Sequence, residues 1–141
     1  MPAVYEHTLV VTADQIDRLG HVNNLAYLSW LLDAALAHSA AHGWPPERYE
    51  QLGSGWVVRS HQIKYLLPAY ENEQIVVRTW VADMKKVSST RRYRVLRASD
   101  EALLVSAATE WAFVDYRSGA LRRIPDEIWR SFEPVEDESE P

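Results

Sequence analysis

There is no cysteine anywhere in the chain. That single absence removes disulfides, thiolate-held zinc, iron–sulfur clusters and thiol nucleophiles together, and it fits a reducing compartment. Long apolar runs are missing too, so no segment is expected to span a membrane. The opening residues, Met1 to His7, have neither a basic stretch nor an apolar one, and no signal peptide is expected. A cytoplasmic location follows as the expectation. Surplus charge is also scarce where it would matter. Residues 133–141 hold five acids and no base, which is the whole of the net charge of −5. Residues 1–132 therefore balance, offer no basic field for nucleic acid, and leave an acidic, solvated and disordered tail. With 141 residues and 47% hydrophobic composition, the chain is one domain's length and has enough apolar mass for its own core. We expect that domain to be residues 1–132.

What is present is an order of elements. Residues 4–12 alternate, with Tyr5, Leu9 and Val11 on one face, and read as a strand. A polar connection, Asp14 to Asn24, follows. Leu25 to His42 then runs without Gly or Pro, and Gly43 with Pro45-Pro46 stops it. This helix is apolar nearly all round, from Ala26, Tyr27 and Leu28 to Leu36 and Ala37, so it should be buried on most sides. Four strand-like runs come next: Trp56–Leu67, Glu73–Met84, Ser89–Ala98 and Ala102–Tyr116. In the last, Leu103, Val105, Ala107, Trp111 and Phe113 share one phase. Short links imply antiparallel pairing. Pro125 opens a short helix, Asp126–Phe132. A sheet of about five strands wrapped round one long helix meets both burial demands, giving an α+β chain. A lone copy leaves sheet edges and a helix flank open, which favours a homodimer or homotetramer.

Chemistry concentrates in the stretch from Asp14 to Tyr27. Gly20 permits a tight backbone turn, and Asn23 or Asn24 suits the N-cap of the following helix. The first turn of that helix offers unpaired N–H groups and the positive end of its dipole. A thioester carbonyl placed there is polarised as in an oxyanion hole. Asp17 lies seven residues before Asn24 and can fold back to the same point, where a carboxylate attacks the carbonyl or activates water. The plainer role for Asp17 is an Asx turn before Gly20. His21 with Asp17 has the ligand types for a metal, but His7, His38, His42 and His61 lack ligand spacing, and neither metal nor cofactor is expected. Lys85-Lys86 and Arg91-Arg92 read as a local basic cluster, either a solvated hairpin or a contact for phosphates.

These residues carry a resemblance. The string Asp17-x-x-Gly20-His21-Val22-Asn23-Asn24-x-x-Tyr27 resembles the signature of the 4-hydroxybenzoyl-CoA thioesterase branch of the hotdog superfamily. The His-Val-Asn-Asn portion is similar to plant-type acyl-ACP thioesterases. Gly43 to Pro46, Tyr65 to Ala69 and Ile124-Pro125 extend the likeness over roughly residues 4–132. The resemblance implies a hotdog fold and hydrolysis of acyl-CoA, with an acyl carrier protein as the other candidate carrier. It implies Asp17 as the catalytic carboxylate and the Asn24 backbone N–H as the group that polarises the thioester. His21 and Asn23 belong to the same motif, Tyr27 packs under the site, and Lys85 and Lys86 sit where relatives place bases against coenzyme A phosphates.

The chain also departs from the pattern. Where many relatives carry an acid and then an arginine on the helix, Leu32 and Leu36 stand here, with Asp33 the nearest acid. Glu71-Asn72 replaces a common Gly-Asp. Two other functions fit parts of the sequence. A dehydratase or hydratase on acyl thioesters needs an acid/base pair, and Asp17 with His21 offers only the spacing. A binding module would hold acyl-CoA without turnover and has no need of a free acid beside the carbonyl.

Overall fold

The computed structural model describes residues 3–135. Residues 136–141, most of the expected acidic tail, lie outside the described residues. Strand β1 (Tyr5–Val10) leads through a short 3-10 turn to helix α1 (Asn24–Ala41). Helix α2 (Pro46–Leu52) follows, then strands β2 (Ser54–Tyr65), β3 (Gln74–Met84), β4 (Ser88–Arg97) and β5 (Leu103–Asp115), and helix α3 (Asp126–Ser131). All four pairings are antiparallel, in the order β1-β3-β4-β5-β2. β1 and β2 are therefore the edges.

The main core lies between α1 and the inner face of the sheet. Tyr27, Trp30, Leu31 and Ala34 from α1 pack against Ile75, Val77, Tyr93, Val95 and Val105. Fully burying such side chains contributes about 1.5–3 kcal/mol each, which is why so apolar a helix holds its place. Beyond Asn24, exposure on α1 is confined to one stripe, Leu25, Ser29, Asp33, Leu36 and Ala40. Leu25 is 79% exposed and Leu36 55%. A second cluster joins Trp44 and Tyr49 to Val81, Met84, Phe113, Ile124, Ile128 and Phe132.

Three expectations need correction. Pro45-Pro46 ends α1, as expected, but also starts α2, because proline costs nothing at the first helical turn. Gly53, at φ 77°, then ends α2 and lets β2 begin two residues before Trp56. The single phase read along β5 does not hold. A bulge near Leu104 puts Leu104 and Val105 both inside, while Leu103 and Trp111 are only partly buried. The basic cluster is not a cluster either. β4 is an interior strand, so Arg91 points under α1 and is buried, while Lys85 and Lys86 sit exposed in the β3–β4 turn.

Candidate active site

The Asp17 segment is a closed turn. Ile16 and Val22 pair as an isolated antiparallel bridge, and the Asp17 N–H donates to the His21 carbonyl at 2.8 Å. The Gly20 N–H donates to the Asp17 carbonyl at 3.1 Å, and Gly20 takes a φ of 80°, which a residue with a Cβ adopts only under strain. Asp17 Oδ1 accepts from the N–H groups of Leu19, at 2.9 Å, and His21, at 3.2 Å. That is an Asx turn, so one carboxylate oxygen shapes the loop. Both bonds fall on Oδ1, and Asp17 is exposed at the surface of the turn.

Asn23 ties the turn to the helix. Its Oδ1 accepts from the Ala26 N–H at 2.9 Å, making Asn23, not Asn24, the N-cap. Its Nδ2 and backbone N–H both donate to the Gln15 carbonyl, at 2.9 and 2.8 Å. With Asn23 spent on architecture, Asn24 becomes the first helical residue. Its N–H and that of Leu25 have no acceptor within the helix. Ala69 fixes the other wall: it accepts from the Val22 N–H at 3.0 Å and donates to Tyr27 Oη at 3.2 Å. Burial raises the Tyr27 hydroxyl above its ordinary range, so it stays protonated.

Asp17, His21, Asn24 and Tyr27 line one groove of about 310 Å³, closed by Tyr65, Leu66, Leu67 and Pro68. The His21 ring meets Tyr70 edge-on at 5.4 Å. Tyr65, Leu66 and Leu67 are each nearly half exposed, an apolar wall at the end of a strand-like run that the sequence does not mark as part of a site. Their run of bulky apolar residues at the end of an edge strand was the available signal. Lys85 and Lys86 are not brought to this groove within one chain. The groove opens beside the start of β3, and the lysines follow its end, eleven residues on. At about 3.3 Å per residue that is roughly 35 Å of strand.

The arrangement therefore sets an acid and the first residue of α1 on one groove with an apolar wall. Comparison with known proteins agrees with the fold. The model of the Thioesterase-like superfamily matches residues 10–132. The chain belongs to that superfamily. Its fold is the hotdog: the 1,4-dihydroxy-2-naphthoyl-CoA thioesterase Slr0204 of Synechocystis superposes with a TM-score of 0.84 at 14% identity, over 91% of this chain and 94% of that one. The protein SAV2348 of Staphylococcus aureus, solved in complex with CoA, superposes with a TM-score of 0.85 at 16% identity, over 91% of this chain and 80% of the other. In sequence, the superfamily member is 28% identical over 92 residues to the chloroplastic acyl-[acyl-carrier-protein] hydrolase FATB2 of Cuphea viscosissima. That stretch is 65% of this chain and 22% of the plant protein, so the chain matches about a fifth of its curated relative. Among the described residues, no helix is long and apolar enough to cross a membrane.

Proposed function

We propose that residues 1–132 act as one cytoplasmic thioesterase domain that hydrolyses acyl-CoA at the Asp17 groove. The observation that carries this reading is that Asp17 and Asn24, the first residue of α1, line one groove. A thioester carbonyl oxygen at the Asn24 N–H gains a donor and the positive helix end just as negative charge develops on it. The Asp17 carboxylate then works in one of two ways. As a base it takes a proton from water, whose oxygen adds to the carbonyl carbon; collapse breaks the C–S bond and releases coenzyme A thiolate and the acid. As a nucleophile it forms an acyl anhydride with loss of thiolate, and water then cleaves the anhydride. The thiolate needs little protonation, so a site with no nucleophile–histidine pair suffices. His21 orients water or the carbonyl, Asn23 holds the turn against the helix, and Tyr27 floors the groove.

Lys85 and Lys86 serve coenzyme A phosphates only if a second copy brings them to the groove, which is the reason to propose a homodimer or homotetramer. The exposed stripe of α1 and the β2 edge supply surface for it. One observation favours a second reading. Because Asp17 already forms an Asx turn, it also fits a module that binds acyl-CoA without cleaving it. The plant relative's name makes an acyl carrier protein the other carrier to try. A panel of acyl-CoA and acyl-carrier-protein thioesters, with free thiol as the readout, separates these. Thiol release from at least one acyl-CoA is expected; binding without release across the panel supports the module and contradicts the thioesterase. Single-turnover hydrolysis in oxygen-18 water labels the Asp17 carboxylate only if Asp17 is the nucleophile and water opens the anhydride at the Asp17 carbonyl carbon.

A further inference from the structure

The loop between β2 and β3 lines the Asp17 groove through Leu66, Leu67 and Pro68. Its next residue joins the other parts of that groove. The Ala69 carbonyl accepts from Val22, which closes the Asp17 turn, and the Ala69 N–H donates to Tyr27 on α1. The turn and the start of the helix are thus both tied to one backbone unit. A loop given that task must itself be held, since loops are otherwise the mobile part of a fold.

The hold comes from a side chain outside the groove lining. Arg97, the last residue of β4, donates from Nη2 to the Pro68 carbonyl at 3.0 Å and from Nη1 to Asp100 Oδ2 at 3.0 Å. Its Nε ion-pairs with Glu73 Oε2. Glu73 Oε1 in turn accepts from the Tyr70 N–H at 2.7 Å, and the Tyr70 carbonyl accepts from the Glu73 N–H at 3.2 Å. One guanidinium and one carboxylate therefore grip the loop on either side of Ala69, at Pro68 and at Tyr70. The Arg97 and Glu73 side chains are 17% and 23% exposed, so water and salt screen this pair less than a surface pair. The arginine also stands on firm ground, because β4 is bonded to β3 on one side and β5 on the other.

We propose that Arg97, acting through Pro68 and Glu73, is a positioning residue that fixes Ala69 and so sets the Asp17 turn against the start of α1. The inference rests on the Asp17 groove being the site of thioester hydrolysis. What the anchor supplies is alignment of the acid with the first N–H groups of the helix. Alignment matters more in the transition state than in binding, so its loss lowers kcat more than it raises KM.

Arg97→Met removes the contacts with Pro68, Glu73 and Asp100 together. Amide hydrogen exchange of the folded chain should then quicken at Val22 and Ala69 by at least about tenfold relative to Val77 in the sheet core, because the loop opens and the sheet does not. On the acyl-CoA that wild type cleaves best, kcat should fall at least about tenfold, with a smaller change in KM. Arg97→Lys, whose ammonium still meets Glu73, should recover part of that loss. Asp100→Asn, which alters an exposed partner that bonds nothing in the loop, should stay within about twofold of wild type. Should Arg97→Met fail to fold, Glu73→Gln keeps an acceptor for the Tyr70 N–H, loses the charge, and should show the same pattern at smaller size. Exchange that rises equally at Val22, Ala69 and Val77 marks a merely structural ion pair and overturns the proposal. Unchanged exchange at Val22 and Ala69 overturns it too, as does a wild-type kcat in spite of faster exchange there. A chain that cleaves no thioester, or an Asp17→Asn variant with full turnover, contradicts the proposed function and leaves the exchange measurement alone to decide the anchor.

Discussion

The two ends of α1 are built by opposite means. At its N-terminus, residues 16–27 make the candidate site almost by themselves: a bridged turn, an Asx acid, an asparagine cap and the first N–H groups of the helix. At its C-terminus, His38 and His42 meet Arg91, Thr79 and Ser131, which come from β4, β3 and α3. The first end keeps its charged group at the surface and costs the fold little. The second buries its charged group among rings and depends on the whole core. Damage at the two ends should therefore separate: turnover at one, stability and acid sensitivity at the other.

The largest loss of stability is expected from Trp44→Ala. Trp44 is 2% exposed, donates to Ser131 Oγ at 3.0 Å and carries the Arg48 guanidinium 3.7 Å above its ring. Removing it should cost about 3–5 kcal/mol in chemical denaturation. A loss below about 1 kcal/mol would mean the second cluster contributes little to the fold.

Next comes acid. Burial, then the Arg91 charge, then His42 hold the His38 imidazole down at about 3, against an ordinary 6.5. The folded state thus refuses a proton that the unfolded chain accepts, and stability should fall as pH drops from about 6.5 towards about 3. The slope from this one group is at most about 1.4 kcal/mol per pH unit, and none of it appears above pH 6.5. Denaturation series at several pH values on wild type and His38→Gln should show a flatter acid limb in the variant. Parallel limbs contradict the assignment.

Asn23→Ala sharpens the comparison from the other side. It removes the cap on Ala26 and the bond to Gln15, and should cost about 1–2 kcal/mol. Because it loosens the turn against the helix, kcat should fall with it. Stability lost with kcat unchanged would detach the turn from catalysis. The smallest effect belongs to the exposed lysines. Replacing Lys85 and Lys86 with Ala should raise KM for acyl-CoA a few-fold and weaken its salt dependence, since exposed charge pairs are weak and screened. An unchanged KM points to other contacts or to a carrier-protein substrate.

The same contrast explains what the sequence disclosed. The order of strands, the long helix, Asp17 and Asn24 were legible because each depends on local spacing, caps and turn chemistry, while His21 and Tyr27 came with the family resemblance. α2 was hidden because Pro45-Pro46 reads equally as a stop and a start. The bulge in β5 left no mark, since Leu103, Leu104 and Val105 are alike. Arg91 looked like a solvated base beside Lys85 and Lys86, and only the interior position of β4 turns it inward. Long-range partners such as His38 and Arg91, 53 residues apart, carry no local signal at all.

The central claim is that Asp17 does chemistry beyond shaping its own turn. Asp17→Asn keeps an oxygen for the Leu19 and His21 N–H groups and so preserves the loop, while removing the base or nucleophile. On the acyl-CoA that wild type cleaves best, kcat should fall at least about 100-fold, with KM and Tm little changed. An Asp17→Asn variant that turns that substrate over at nearly the wild-type rate would show that the carboxylate serves the turn alone, and the mechanism would be wrong.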